Sequence, residues 1–108
     1  MRSGYVYVEN IRAGILQETD DGDYIFSYFQ EYLVNKSNLP VSLTLPLQSE
    51  EFLSKTLFSF FDGLIPEGWL LDLSLRNWKL QANDRMGLLL KCCNDSIGNV
   101  SIKEISNE

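Results

Sequence analysis

The first third of the chain alternates with the period of a strand. Tyr5-Val6-Tyr7-Val8 places apolar and amphipathic side chains on opposite faces, Glu9 to Arg12 is turn-like, and Ala13 to Gln17 resumes an extended run. Asp20-Asp21-Gly22-Asp23 reads as a second turn, because an Asp-Gly pair supplies the positive φ of a tight hairpin. Tyr24-Ile25-Phe26-Ser27-Tyr28 follows as a third strand, rich in aromatic β-formers. These segments predict an antiparallel meander. Residues 31–39 read as a transition segment holding the polar loop Asn35-Lys36-Ser37-Asn38. Val41 to Leu45 alternates briefly between Pro40 and Pro46, which suits an edge strand or an extended loop.

The period then lengthens. Leu53, Leu57, Phe60, Phe61 and Leu64 recur at i, i+4, i+7, i+8 and i+11, one wide apolar helical face. Gly63 and Pro66 are expected to close that helix, and Pro66 can open the next, since the first helical turn does not need its missing N–H. Glu67 then sits near the positive end of the helix dipole. Leu70, Leu71, Leu73, Leu75 and Trp78 carry the second helix to about Leu80. Asn83 or Asp84 caps a third helix that runs through Leu90. Asn94 to Gly98 turns the chain, and 99–105 alternates as a last strand. The expected fold is α+β: a small antiparallel sheet, made of the N-terminal meander and the C-terminal strand, packed with about three helices in one domain spanning 1–108.

Composition narrows the function classes. The 44% hydrophobic and 22% charged fractions are ordinary for a globular chain, and 108 residues suffice for a single core. No apolar run approaches the roughly 20 residues that span a bilayer, and the N-terminus lacks a signal-peptide core, so a cytoplasmic protein is expected. A net charge of −6 with scattered basic residues argues against direct phosphate-backbone binding. The adjacent Cys92 and Cys93 are poorly placed to bridge and read as packing residues. The chain has no His, which removes most zinc ligands and the usual neutral-pH base. The acidic turn at 20–23 lacks the twelve-residue spacing of a calcium loop.

Catalytic patterns are equally sparse. The glycines Gly4, Gly14 and Gly22 are too far apart to cradle phosphate, and no Gly-Lys-Ser/Thr, Asp-Phe-Gly or catalytic-loop pattern occurs. No enzyme and no cofactor are expected. The residues that suggest recognition cluster at Ile65-Pro66-Glu67-Gly68-Trp69. A Trp in the first turn of a helix, shaped by Pro66 and Gly68, buries a large area with few rotamers to freeze, as interface anchors do. Its i+3 and i+4 neighbours are Asp72 and Leu73, a mixed face that favours an interface over a core role. Trp78, in register with Leu71 and Leu75, reads as core. Phe58 falls off the main apolar stripe, which fits a place in the candidate interface beside Trp69 and a wide core face equally well. Tyr5, Tyr7, Tyr24 and Tyr28 are expected on one sheet face, where cross-strand packing outweighs base stacking because basic residues do not interleave them.

Six pieces in order resemble the first N-terminal subdomain of HipA-like toxin kinases. They are the pair Val6-Tyr7-Val8 and Gly14-Ile15-Leu16; the strand Tyr24-Ile25-Phe26-Ser27-Tyr28; and Pro40-Val41-Ser42-Leu43-Thr44-Leu45-Pro46-Leu47, similar to "P-x-S-x-S-L-P-L" with Thr44 at the second Ser. Phe60-Phe61-Asp62-Gly63-Leu64-Ile65-Pro66-Glu67-Gly68 is similar to "F-F-x-N-L-L-P-E-G", with Gly63 for Asn. Asp84 to Leu89 is similar to "D-x-F-x-L-L". Asn94-Asp95-Ser96-Ile97-Gly98-Asn99-Val100 is similar to "G-x-D-x-x-G-A-V", with Asn99 for Ala.

The resemblance implies a subdomain that precedes a Ser/Thr kinase core in full-length HipA-like toxins, accompanied by a HipB-like DNA-binding antitoxin. In split systems it implies a free HipS-like antitoxin that neutralises a HipT-like kinase, and the end of this chain at Ser106-Asn107-Glu108, just past the last strand, is what such a protein would have. Trp69, with Pro66, Ile65, Gly68 and Phe58 around it, would then enter the kinase near its active site while Glu67 pairs with a basic residue. A structural or activating subdomain that does not inhibit is the alternative, and a small regulator acting on DNA alone is a third reading that the acidic charge disfavours.

Overall fold

The computed structural model describes residues 2–35, 37–65, 84–92 and 99–105. Five strands, β1 (Arg2–Val8), β2 (Ile11–Glu18), β3 (Tyr24–Tyr28), β4 (Phe52–Ser54) and β5 (Val100–Glu104), form one antiparallel sheet in the order β4-β3-β2-β1-β5. The described helices are α1 (Gln30–Leu33), α2 (Ser59–Asp62) and α3 (Arg85–Cys92). None of them is long and apolar enough to cross a membrane. The α+β class expected from the alternating and helical periods is the one observed.

Both hairpins follow from their turn residues. Glu9 and Asn10 take positive φ (50° and 67°), the mirror-image turn whose twist matches its flanking strands. At the second turn Gly22 stands at φ +87°, and Thr19 braces the loop by accepting from Asp23 N–H at its side-chain oxygen and exchanging backbone bonds with Asp23 and Gly22. β5 returns to β1, with Val6 opposite Ile102, so the last strand closes the sheet on the side away from β4.

Register decides which residues meet. Gly4, Leu16 and Phe26 are aligned across three strands, as are Val6, Gly14 and Tyr28. This face is the core: Val6, Leu16, Phe26 and Ile102 are fully buried, under Phe61 of α2 and Met86, Leu88 and Leu89 of α3. Phe26 is the hub, tilted or edge-on to Tyr28 (4.9 Å), Phe61 (5.5 Å) and Phe52 (6.1 Å between ring centroids). Full burial of a Phe of this kind contributes about 1.5–3 kcal/mol.

The structure corrects three expectations. The apolar stripe from Leu53 to Leu64 is not one helix. Phe52–Ser54 pairs with β3 as the sheet edge, leaving Leu53 72% exposed, and only Ser59–Asp62 is helical. Tertiary pairing overrides the period, because Phe52 gains contact with Phe26 and Tyr28 only from an extended strand. Within the transition segment, Gln30–Leu33 forms a helical turn that buries Tyr32 against Tyr28 (rings stacked, 6.0 Å apart). The four tyrosines are split between faces: Tyr24 and Tyr28 share the parity of the core residue Phe26, whereas Tyr5 and Tyr7 point to the opposite side. The second helix expected over 66–80 lies outside the described residues. Asp84 caps α3: its carboxylate accepts from Gly87 N–H (3.2 Å) and its carbonyl from Leu88 N–H; Asn83 lies outside the described residues.

Candidate partner-binding surface

The segment bearing Pro66, Glu67, Gly68 and Trp69 leaves the described structure after Ile65 and returns at Asp84; those four residues lie outside the described residues, while Phe58 and Ile65 lie within them. α2 delivers the exit. Phe58 is extended (φ −54°, ψ 136°) and its carbonyl starts the helix by accepting from Asp62 N–H. Gly63 stays right-handed (φ −69°), so α2 does not end on a left-handed glycine. It runs on in tight turns, Leu64 N–H to Phe61 and Ile65 N–H to Asp62. Ile65 is 3% exposed and packs into the core as the anchor of the exit, and Phe58 is half-buried, edge-on to Phe61 at 6.1 Å.

Two ion pairs involve the described residues on either side of that segment. Arg85 Nε donates to Asp62 Oδ1 at 2.6 Å, tying the end of α2 to the start of α3. Arg2 forms a fork on Asp84 (2.8 and 2.9 Å) and a second on Glu18 (2.8 and 3.1 Å), and Tyr24 donates to Glu18 as well. Bidentate guanidinium–carboxylate contacts fix orientation as well as charge. The Arg2 hydrogen bond holds the Asp84 carboxyl below its usual range, and the two carboxylates raise the Arg2 guanidinium further. Burial, then the Glu18 hydrogen bond, pushes the Tyr24 phenol up.

Beside Phe58 lies an open groove of about 290 Å³ between β4 and the 42–45 turn, lined by Thr44, Leu45, Phe52, Leu53, Leu57 and Phe58 among others. Its wall is organised by one hydroxyl. Tyr28 donates to the Leu45 carbonyl and accepts from Val41 N–H (2.8 Å), which sinks Val41 and Leu45 into the core. Ser42 braces the turn by accepting from Thr44 N–H at its side chain and from Leu45 N–H at its carbonyl. The tip residue Leu43 is thereby left 97% exposed. Simple alternation would have put Leu43 with Val41 and Leu45; the turn inverts it. The exposed Leu43 and Leu53 beside the groove were missed in the sequence, where nothing distinguishes them from core leucines. Chemically, the described part of this surface offers apolar contact and hydroxyls, suited to holding a partner's side chains.

Residues 4–103 match the HipA N-terminal domain family. An uncharacterized protein of Haemophilus influenzae is 34% identical over 104 residues, 96% of this chain and 93% of that protein. Among solved structures, the N-terminal domain of HipA toxin superposes with a TM-score of 0.74 at 28% identity, covering all of this chain and 96% of that one. The Shewanella oneidensis MR-1 toxin–antitoxin complex of HipA, HipB and operator DNA gives a TM-score of 0.75 at 19% identity, a likeness of fold that covers 93% of this chain and 23% of that one.

Proposed function

The chain belongs to the HipA N-terminal domain family, and from that premise we propose that it is a non-catalytic antitoxin that binds and neutralises a HipT-like Ser/Thr kinase. The family sets the chain in a HipA-related toxin–antitoxin context. What carries the finer reading is that the Haemophilus influenzae relative is itself little more than this domain, matched over 93% of its length. The same fold therefore occurs both as a small separate protein and as a minor part of a HipA chain.

The mechanism is steric. The Pro66–Trp69 segment, which follows the buried Ile65, enters the kinase beside its nucleotide cleft. Trp69 fills a pocket, Glu67 pairs with a basic residue, and Phe58 with Gly68 shapes the flank. The larger complex contains a HipB-like DNA-binding protein, this chain makes no direct contact with nucleic acid, and the assembly is cytoplasmic.

Co-expression with the kinase encoded beside this gene tests the reading. Rescued growth together with co-purification is expected. Co-purification without rescue would turn the conclusion to a structural or activating subdomain, and absence of any complex would refute it.

A further inference from the structure

The sheet face opposite the core has a charge pattern unlike the rest of the chain. Tyr5, Tyr7, Ile15, Ile25 and Leu53 project from it, joined by Phe29 beyond the end of β3, and none of the three described helices packs there. Among the described residues its charged groups are Arg12 and Lys103. The Arg12 guanidinium lies over the Tyr5 and Phe29 rings at 4.9 and 5.4 Å, and Lys103 Nζ over Tyr7 at 5.3 Å. None of the strand residues on this face is Asp or Glu, in a chain of net charge −6. The strand carboxylates Glu18 and Glu104 have the core parity and pair with Arg2 and Lys91. The two exposed cations of this face pair with no carboxylate among the described residues.

We propose that this face is a second docking surface for the kinase, which meets it with carboxylates arranged around an apolar patch. The inference rests on the partner assigned above. Charge complementarity selects the occupant. A second copy of the chain would set Arg12 and Lys103 against like charges, which a symmetric interface repeats on both sides. Nucleic acid is disfavoured because the cations already cover Tyr5, Tyr7 and Phe29, and because the acidic chain repels phosphate. Aromatic rings holding guanidinium and ammonium groups in place leave donors ordered for a carboxylate, so less freedom is lost on binding.

The test is titration calorimetry against the same neighbouring kinase. The double variant Arg12→Glu/Lys103→Glu is expected to weaken binding by about tenfold or more and to flatten its salt dependence. Ser27→Glu, which removes none of these contacts and only adds a negative charge to the face, is expected to weaken it in the same direction. Circular dichroism verifies that both remain folded. Affinity of folded variants within about twofold of the wild type would overturn this inference and leave the kinase reading standing, since wild-type binding is measured in the same series. Failure of the wild type to bind would overturn both. Binding of a labelled single-stranded oligonucleotide that the double variant abolishes would overturn the inference in favour of nucleic acid.

Discussion

Tyr28→Phe removes one oxygen and leaves two buried backbone groups without their partners. The hydroxyl donates to the Leu45 carbonyl and accepts from Val41 N–H, and Tyr28, Val41 and Leu45 are 6%, 5% and 3% exposed. An unsatisfied buried group costs about 1–3 kcal/mol. Some opening of the 40–47 loop to water relieves the pair, so the loss is expected at about 2–3 kcal/mol. For a domain of this size about 1 kcal/mol moves the midpoint by ~4–8 °C, so Tm should fall by roughly 10–20 °C. Tyr32→Phe is the internal control. Its hydroxyl donates to the carbonyl of Leu39, a residue 51% exposed where water can substitute, and it should cost about 1 kcal/mol or less. Thermal unfolding of the three proteins by circular dichroism reads the difference, and hydrogen exchange should show protection of the Val41 amide lost in Tyr28→Phe alone. Equal losses in the two variants, or a Tyr28→Phe loss under about 0.5 kcal/mol, would refute the two-contact role of this hydroxyl.

Three further outcomes are expected. Gly14→Ala would bring a methyl group to 2.3 Å from the Ser27 carbonyl and 3.0 Å from the Phe26 ring, so β2 and β3 must part; a loss of about 1–3 kcal/mol is expected in urea unfolding. Asp84 has its folded pKa depressed by Arg2, so its stabilisation is complete above the ordinary carboxylate pKa and fades as pH falls through the lower folded value; Asp84→Asn should be less stable than wild type near neutrality, with the gap closing in acid, as read by unfolding at several pH values. Trp69→Ala should weaken binding of the neighbouring kinase by about 2 kcal/mol or more if the side chain is an interface anchor, and an unchanged affinity in a pull-down titration would remove it from the interface.

Much of the fold was legible because its strands obey local rules. The 5–8, 13–17 and 24–28 alternations, the Asp-Gly turn and the last strand all lie where the sheet has them, since period and turn chemistry are properties of adjacent residues. The candidate site was legible only in part. Phe58 and Ile65 are located, one half-buried and one anchored in the core, and the groove beside Phe58 with its exposed Leu43 had no local signal.

The amino-acid sequence by itself determined the α+β class, the meander and the motif order that marks the family, because each depends on spacing along the chain. Only the tertiary structure decided that 52–54 is an edge strand, that the tyrosines divide between two faces, that Leu43 points outward, and that Arg2 joins Glu18 to Asp84. Those outcomes depend on register and on contacts between residues far apart in the chain. A stripe of apolar residues fixes how much surface must be covered but not which partner covers it, and here Phe26 and the Tyr28 hydroxyl made that choice.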